Sequence, residues 1–421
     1  MVLIARGINI LGHMLEDSRG RLVLIVPKNW YNVFNMNEFN ELLTRSVSEV
    51  IDKKHLEQQL AAGKKLRVKL GIDPTGSQLH IGHAVVLQIL RRFQDLGHSA
   101  VLIIGDTTAL IGDPSGKNET RPPLTAQDIK ENFATYERQA LKILDKDRLE
   151  VRWQSEWFKN FNLVDVIREA SKLSAGWITS HETFRGRLKA GLPLAFHELL
   201  YPIVQAYDSV AVKADVELGG LDQKFNLLTG RELMREHDLE PQDIVLAKYL
   251  IGTDGQKMGK TLNNFIALEE EPFEMFGKVM SINDDLIIQY FEYATRLPMQ
   301  EVQQLEQELK NGSNPRDIKK RLGQEIVTLY HDKKAAAAAQ AEWEKVFSNK
   351  ERPTDIDIVV VQSVNLVDVL VETKLAPSKS EAKRLIEQNG VKVDDKTATE
   401  DTQVKSGNIL QVGKRKFIRV K

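Results

Sequence analysis

LRVKLGIDPTGSQLHIGHAVVLQILRR, residues 66–92, changes from one type of secondary structure to another near its centre. Its first seven residues have the apolar, β-branched character of a buried strand. The segment DPTGS breaks that pattern, and from Ile81 the apolar residues no longer alternate but indicate a helix. His80 and His83 therefore lie where a strand meets a helix N-terminus, whose free N–H groups and dipole favour an anion such as a phosphate.

The composition suits a soluble globular protein with more than one domain. The chain has 421 residues, 42% hydrophobic and 28% charged, which predicts about two to four domains with substantial cores. A net charge of −1 excludes a uniformly basic surface, so any nucleic-acid contact must be local. The lack of cysteine excludes thiolate metal sites and cysteine nucleophiles, and no apolar run approaches the ~18 residues of a membrane helix. We expect a cytoplasmic protein with no membrane association.

The first half of the chain alternates predicted strands and helices. Residues 1–35 are expected to be an N-terminal extension without functional residues, and residues 38–62 are predicted to form one amphipathic helix. Residues 99–105 (SAVLIIG) indicate a second buried strand, followed by a Gly/Pro-rich loop over 111–125. This alternation predicts an α/β fold with a Rossmann-like, doubly wound parallel sheet, whose ligands lie at the carboxyl ends of the strands.

A mostly helical insertion precedes the second half of the predicted sheet. It covers about residues 125–190 and contains one strand-like segment, LEVRW. Residues 196–212 then predict a helix that carries Tyr201, Gln205 and Asp208 at positions i, i+4 and i+7. That spacing puts a phenol, an amide and a carboxylate on one helix face.

The remainder of the chain completes the sheet and then becomes helical. Residues 214–233 predict strand, glycine turn and helix, with Asp222 and Gln223 at the turn, and residues 243–264 predict a strand followed by a Gly- and Lys-rich loop. The last block predicts two short helices, then Gly-punctuated strands with a basic end. The predicted segments are an extension (1–35), an α/β domain (36–268), an α-helical domain (269–350), a linker (351–361) and a small α+β domain (362–421).

Two motifs together resemble the class I aminoacyl-tRNA synthetases: His-Ile-Gly-His at 80–83 and the Lys-Met-Gly-Lys-Thr loop at 257–261. The segments GIDPTGSQLHIGH, LIGDPSGKNETR, YPIVQAYDS and VELGGLDQKFN narrow the resemblance to the bacterial tyrosyl-tRNA synthetase family. The resemblance covers about residues 38–421, and the last 60 or so residues resemble an S4-type RNA-binding domain. The motifs occur in the order that is typical of that family.

The resemblance implies a role for each matching residue. The residues implied in catalysis at the ATP phosphates are His80, His83, Thr75, Lys257 and Lys260. The other implied ATP-binding residues are Gly71, Asp73, Gly219, Asp222 and Thr261. The implied tyrosine-binding residues are Asp113, Tyr201, Gln205, Asp208 and Gln223. Of these, Asp208 would accept a hydrogen bond from the phenol hydroxyl, a buried polar contact that phenylalanine could not satisfy.

The resemblance also implies contacts with tRNA. Lys117 and Arg121 would face the entering phosphates or the acceptor end. The basic residues implied in the tail are Lys379, Lys383, Arg384, Lys414, Arg415 and Lys416. Residues 269–350 and the S4-like domain would hold the anticodon arm and the long variable arm of tRNA(Tyr).

The implied reaction has two steps. L-tyrosine and ATP would give tyrosyl-adenylate and pyrophosphate, and tyrosine would then pass to the terminal adenosine of tRNA. Such chemistry requires positioned positive charge rather than a nucleophilic side chain. Mg²⁺ would accompany ATP without a dedicated protein metal site, and the family implies a homodimer formed through the 125–190 insertion.

Three positions depart from the family pattern. Gly259 replaces the usual serine of the lysine loop, which removes a hydroxyl donor. Leu221 stands beside the Asp-Gln pair, where a small hydroxyl residue is common. Lys69 occupies a position from which one branch of the family supplies a tyrosine to the phenol, so its role stays open.

Other functions remain possible at this stage. Tryptophan charging uses the same fold, although Gln205, Asp208 and the S4-like tail argue against it. A nucleotidylyltransferase would share the His-Ile-Gly-His turn but would not need the tail. A non-catalytic RNA-binding protein would not need His80, His83 or the lysine pair. The polar face of the 196–212 helix could also be part of a subunit interface.

Overall fold

The computed structural model describes residues 2–5, 8–11, 13–16, 22–25, 38–74, 76, 78–115, 125–347, 356–413 and 416–421. The chain forms two compact units, Met1–Glu271 with Lys278–Tyr330, and Pro272–Gly277 with His331–Lys421. Within the segment predicted as an extension, two antiparallel hairpins pair Val2–Ala5 with Ile8–Leu11 and His13–Glu16 with Leu22–Ile25.

A six-stranded sheet forms the centre of the first unit. Its strands are β1 (Val47–Ile51), β2 (Arg67–Ile72), β3 (Ser99–Ile104), β4 (Leu149–Trp153), β5 (Val216–Gly220) and β6 (Asp243–Ala247). Their spatial order is β1-β6-β5-β2-β3-β4, and every pair is parallel except the antiparallel edge pair β1 and β6. The predicted doubly wound parallel sheet is confirmed. Its strand order reverses between β2 and β5, and the crevice at such a point is where these folds bind ligands.

Helices cover the sheet and fill the loops between strands. Those in residues 38–271 are 38–44, Lys53–Ala61, Ile81–Asp95, Thr108–Ile111, Ala126–Ala140, Ser155–Phe158, Leu163–Ser171, Ala175–Thr179, Glu182–Lys189, Tyr201–Val212 and Lys224–Arg235. Three of them are used below as α1 (Ile81–Asp95), α2 (Tyr201–Val212) and α3 (Lys224–Arg235). The apolar face of α1, with Leu87, Ile89, Leu90 and Phe93 fully buried, packs against the sheet. The predicted strand-to-helix change at residues 66–92 is confirmed.

The predicted single helix over residues 38–62 is wrong. Strand β1 interrupts it, and the helix resumes only at Lys53. Ser46 and Asp52 have positive φ values of 63° and 61°, which a continuing helix does not allow. The β-branched segment between them pairs with β6 and closes that edge of the sheet. Tertiary pairing therefore overrides the local helical pattern.

The predicted insertion over 125–190 is helical but also contributes to the sheet. Its strand-like segment is β4, which pairs in parallel with β3 as the other edge strand. The predicted helix over 196–212 begins as a 3₁₀ turn, Phe196–Leu200, and continues as α2. Lys213, with a left-handed φ of 48°, ends it.

The later helices follow the predicted pattern. They are Pro272–Met280, Ile287–Ala294, Met299–Lys310, Pro315–Tyr330 and Lys333–Phe347. The compact units do not follow the predicted boundaries at residues 268 and 350, because residues 278–330 belong to the first unit. Those domain boundaries stay predictions.

The last part of the second unit is a small α+β domain. Helices Leu366–Glu372 and Lys379–Glu387 pack on strands β7 (Asp357–Val359), β8 (Val391–Val393), β9 (Lys396–Thr397), β10 (Ile409–Val412) and β11 (Lys416–Val420). The strand order is β7-β11-β10-β8-β9. The predicted linker over 351–361 is wrong at its end, since β7 pairs with β11 and belongs to this sheet. Among the described helices, none is long and apolar enough to cross a membrane.

Candidate active site

A cavity of about 290 Å³ opens at the carboxyl ends of β2, β3 and β5. Such an edge gathers the loops that follow parallel strands. The cavity is lined by nine of the residues that the sequence predicted for ATP or tyrosine binding: Gly71, Asp73, His83, Asp113, Tyr201, Gln205, Asp208, Gly219 and Gln223. Residues that lie far apart in sequence are therefore brought together at one site.

Asp208, on α2, contributes a buried carboxylate to the cavity. Its side chain is about 1% exposed. The Gln154 amide donates a 2.9 Å hydrogen bond to Oδ2, while Oδ1 is buried and has no partner among the described residues. Burial raises the pKa of Asp208 to about 7, against an opposing effect of the positive charge on Lys69. A buried acceptor with no partner is suited to a hydroxyl donor on a ligand.

Asp73, in the wall of the cavity, accepts hydrogen bonds from two side-chain hydroxyls. The Tyr201 hydroxyl donates to Asp73 Oδ2 at 2.8 Å, and the Thr108 hydroxyl donates to Oδ1 at 2.7 Å. Burial and the nearby carboxylates raise the pKa of Tyr201 well above its usual value, so the phenol keeps its proton. A Cβ at Gly105 would clash with the Asp73 carboxylate and the Thr108 hydroxyl, and glycine permits that approach.

A second acceptor group lies around Asp113. The Gln223 amide donates to Asp113 Oδ2 at 2.9 Å, and the Ser115 backbone N–H donates to Oδ1 at 2.9 Å. Gln205 contributes a buried Oε1 that has no partner in the described part of the chain. A carboxylate beside a free amide oxygen provides the acceptors that an ammonium group needs.

His80 and His83 meet at the N-terminus of α1. Their ring centroids are 3.7 Å apart, and the His80 backbone N–H donates to His83 Nδ1 at 3.3 Å, which leaves the His83 proton on Nε2. Burial, followed by the charge of Lys260, lowers the pKa of His80 to about 4. Burial also holds the pKa of His83 well below its usual value. Both imidazoles are therefore neutral at pH 7 and act as hydrogen-bond donors rather than as cations.

Glycine between the two histidines allows their close approach. A Cβ at Gly82 would lie 2.9 Å from His80 Nδ1. The turn is also tied to the segment that follows the lysine loop, because the Ile81 N–H donates to the Ile266 carbonyl at 3.0 Å.

Positive charge is supplied by the lysine loop. The Lys260 side chain is exposed, its Nζ lies 3.1 Å from the position of a Cβ at Gly76, and desolvation of the ammonium lowers its pKa. Lys257 forms an ion pair of 3.2 Å with Asp222 and lies on the face of Tyr249. Asp222 follows β5 but is not among the residues that line the cavity.

Gly259 and Leu221, two of the residues that depart from the family pattern, have surroundings that accept them. Gly259 has an extended φ of −166°, and a Cβ there would meet nothing within 4 Å. The position would therefore accept a side chain, so the backbone does not require this glycine. Leu221 packs on a buried cluster with Leu227, Ile244 and Leu246, where an apolar residue is favoured.

Lys69 does not line the cavity. Its ammonium, 0% exposed, donates to Ser209 Oγ at 2.7 Å and pairs with Glu217 Oε1 at 2.8 Å. This buried ion pair joins β2 to β5 beneath Asp208. The charge of Lys69 lowers the pKa of Asp208, and the charge of Glu217 raises it. Lys69 thus acts on the cavity through electrostatics and not through contact with a ligand there.

Sequence reasoning missed Gln154 and Thr108. Gln154 directly follows β4 and bonds to both Asp208 and Thr108, and Thr108 follows β3 and bonds to Asp73. Each lies just beyond the carboxyl end of a parallel strand. That position alone could have marked both residues as candidates for the ligand site.

Some predicted residues are not brought to the cavity, and others lie outside the described part of the chain. Lys379, Lys383 and Arg384 form ion pairs with Asp368, Glu400 and Glu381, and Lys416 is exposed on β11. The predicted residues outside the described part of the chain are Thr75, Lys117, Arg121, Lys414, Arg415 and the side chain of Thr261.

A metal-capable cluster lies elsewhere in the described residues. It comprises Asp52, His55 and Asp243, near the amino end of β6, with the Arg231 guanidinium 3.4 Å from Asp52. The groups at the histidine turn and the lysine loop are imidazoles, lysines and backbone N–H groups. This donor set fits the oxygens of a polyphosphate.

Residues 60–348 match the family model described as tRNA synthetases class I (W and Y). The chain belongs to this family. Residues 364–410 also match the S4 domain, which agrees with the small α+β domain of the second unit.

Curated relatives narrow the similarity to the tyrosine branch. The chain is 47% identical over 387 residues to the tyrosine–tRNA ligase of Dehalococcoides mccartyi (strain 195), covering 90% of this chain and 98% of the relative. It is 47% identical over 386 residues to the tyrosine–tRNA ligase of Thermotoga maritima, covering 90% and 96%.

Solved structures share the fold. A mitochondrial tyrosyl-tRNA synthetase from Aspergillus nidulans has a TM-score of 0.64 at 20% identity, covering 76% of this chain and 99% of that chain. A tyrosyl-tRNA synthetase from Archaeoglobus fulgidus, solved with L-tyrosine, has a TM-score of 0.59 at 20% identity, covering 73% and 99%.

Proposed function

We propose that the chain acts as an ATP-dependent tyrosine–tRNA ligase and that the cavity next to Asp208 is where tyrosine binds. Family membership and relatives of 44–47% identity support the activity. The observation that carries the assignment of the site is the buried Oδ1 of Asp208, which lacks a partner in the described residues. A phenol hydroxyl would satisfy it, whereas a phenyl ring has no donor to offer there.

The other polar groups of the cavity fit the amino-acid end of the same ligand. Asp113, Tyr201 and Gln205 would hold the ammonium, since a carboxylate, a phenol oxygen and a free amide oxygen are all acceptors. Gln223, already bonded to Asp113, would lie near the substrate carboxylate. Tyrosine would therefore enter with its phenol at Asp208 and its carboxylate toward the histidines.

The nucleotide would be held by the adjoining turn and loop. His80 and His83 would donate to oxygens of the α-phosphate as a carboxylate oxygen of tyrosine attacks phosphorus and the bond to pyrophosphate breaks. Thr75 would assist on the same side as the histidines. Lys257 and Lys260, with Thr261, would close on the departing pyrophosphate, whose charge the two lysines would neutralise, and Mg²⁺ would enter with ATP. Gly71, Asp73, Gly219 and Asp222 would line the adenosine and ribose, and Lys117 and Arg121 would meet phosphates or the acceptor end. Neutral imidazoles suit this role because they donate hydrogen bonds to the phosphate without repelling the lysine ammonium groups.

The test of this function is amino-acid-dependent ATP–pyrophosphate exchange. Tyrosine should support exchange, and tryptophan and phenylalanine should not at equal concentration. Exchange with tryptophan but not tyrosine would reassign the chain to the tryptophan branch of its family. Exchange with neither amino acid would refute the proposal.

The pH dependence of tyrosine use should follow Asp208. Its pKa of about 7 means that the carboxylate dominates above pH 7 and the neutral acid below it. The carboxylate is the stronger acceptor, so the KM for tyrosine should rise about five- to tenfold from pH 8 to pH 6. Asp208→Asn should remove this dependence, and an unchanged slope in that variant would assign the titration to another group.

Transfer to tRNA would use the S4 domain for phosphate contacts. Lys379, Lys383, Arg384 and Lys416 are the described members of its predicted basic set, and residues 269–350 would hold the anticodon arm. Such contacts raise affinity through counterion release and carry little sequence information.

Replacing both Lys416 and Arg419, which are exposed on β11, with alanine should weaken tRNA binding. We expect the slope of log affinity against log salt to fall by about two, with pyrophosphate exchange unchanged. Lys53→Ala, at an exposed lysine of the first unit, is the matched control. An equal loss of exchange and tRNA binding in the double variant would contradict this division of labour.

We also propose a cytoplasmic homodimer, with no membrane association, formed through the insertion. Its helix Leu163–Ser171 exposes apolar side chains, with Leu163 at 74% and Ile167 at 58% exposure, and Phe196, just after the insertion, is 78% exposed. Such a patch favours a protein interface. Replacing Leu163 and Ile167 with aspartate should give monomers by sedimentation, and Ile358→Asp, at an exposed residue of the second unit, should not.

A further inference from the structure

Tyr249 lies against Lys257, the first lysine of the lysine loop, although no sequence motif singled it out. Its ring centroid is 3.6 Å from Lys257 Nζ, well within the range of a cation–π contact. On the other side, Asp222 Oδ2 is 3.2 Å from the same ammonium. The ammonium therefore has an aromatic face and a carboxylate as partners.

The backbone explains why these groups meet. Residues 250–258 form a small hairpin in which the Met258 N–H donates to the Leu250 carbonyl at 3.0 Å and Ile251 pairs with Lys257. The Lys257 backbone is thus tied to the segment that carries Tyr249. Only its side chain, which is about half exposed, is free to turn.

Tyr249 also lies close to Asp222. Burial, followed by the negative charge of Asp222, raises the pKa of the Tyr249 hydroxyl to about 12. A Cβ at Gly220 would lie 2.7 Å from Asp222 Oδ1 and 3.8 Å from Tyr249 Cε1, so glycine keeps room for the carboxylate beside the ring. Tyr249, Asp222 and Lys257 form one cluster, called here the lysine rest site.

We propose that Tyr249 is a positioning residue that holds Lys257 at the lysine rest site until a nucleotide binds. A half-exposed ion pair alone holds a lysine weakly, and the ring adds a second contact on the ammonium. The release step rests on the proposed role of Asp222 at the ribose. When ribose hydroxyls donate to Asp222, its carboxylate is shared, and the ammonium turns toward the phosphates.

The first test measures the reactivity of the Lys257 amine toward acetic anhydride by peptide mass spectrometry. Without nucleotide, Tyr249→Leu should raise the acetylation rate of Lys257 about threefold, the ratio expected for one exposed cation–π contact. Tyr249→Phe, which keeps the ring, should stay near the wild-type rate. Lys248, whose ammonium lies over Tyr293, is the internal control and should not change.

Asp222→Asn provides a second variant with the same readout. It removes the charge that faces Lys257 and should also raise the acetylation rate. Equal rates in all four proteins, or a parallel rise at Lys248, would overturn the lysine rest site.

Adenosine tests the release step because it has ribose hydroxyls but no phosphate to attract the lysine. Adenosine should raise the wild-type rate at Lys257, and 2′,3′-dideoxyadenosine should not. No change with adenosine, or a lower rate, would overturn release by the ribose.

The kinetic signature separates positioning from structural damage. Because the rest contact opposes closure, Tyr249→Leu should lower the KM for ATP about threefold in pyrophosphate exchange and leave kcat unchanged. A higher KM or lower kcat, shared by Tyr249→Phe, would overturn the proposal. Absence of exchange in the wild type would refute the proposed function, while the acetylation rates would still decide on Tyr249.

Discussion

Replacing Asp208 with alanine should raise the KM for tyrosine about 100-fold in pyrophosphate exchange and leave the KM for ATP within about twofold. The phenol hydroxyl would enter a buried site from which the unpartnered Oδ1 of Asp208 has been removed. A charge-assisted hydrogen bond, together with the cost of an unpaired buried hydroxyl, accounts for a loss of this size.

Two controls make this result specific. Asp208→Ala also frees the Gln154 amide donor, so thermal unfolding should show that the variant is folded at the assay temperature. Asp165→Ala removes an aspartate from the first turn of another helix and should leave both KM values unchanged. An equal rise in the KM for ATP in Asp208→Ala would mean that Asp208 supports the whole site and is not the phenol partner.

Replacing Lys69 with methionine should lower the free energy of unfolding by about 3–5 kcal/mol. The change removes the ammonium and leaves Glu217, only about 1% exposed, as an uncompensated buried charge. Replacing Lys69 with methionine and Glu217 with glutamine together removes both charges and should cost much less, about 1–2 kcal/mol. Urea unfolding of the three proteins measures the difference, and a single variant no less stable than the double variant would show that the ion pair is not a stability determinant.

The Lys69 variant should also change the cavity. Because the charge of Lys69 lowers the pKa of Asp208, its loss should raise that pKa and move the acidic limb of the tyrosine KM profile to higher pH. An unchanged profile would show that Asp208 does not feel the buried pair.

The local sequence pattern predicted the central strands of the sheet better than it predicted the edge strand β1. The residues around His80 carry their own strand, turn and helix signals, so that element was predicted from sequence. Strand β1 was not, because its pairing with β6 depends on residues about 200 positions away. A helical periodicity that is interrupted by a distant partner cannot be recognised within its own window.

The candidate site was likewise predictable only where its residues are close together in sequence. Asp208, Tyr201 and Gln205 share a helix face, so sequence spacing grouped them correctly. Their partners Gln154 and Asp73 directly follow other strands, and only the assembled sheet brings them together. The neutral state of His80 and His83 also depends on burial, which no motif encodes.

The most direct test is a thermodynamic cycle with two changes. Phenylalanine in place of tyrosine removes the hydroxyl from the ligand, and Asp208→Asn removes the carboxylate from the protein. Exchange activity, as kcat/KM, is compared for tyrosine and phenylalanine in the wild type and in Asp208→Asn. We expect tyrosine to be strongly favoured by the wild type and this preference to fall at least about tenfold in the variant. The same preference for tyrosine in both proteins would contradict the assignment of Asp208 as the group that recognises the phenol.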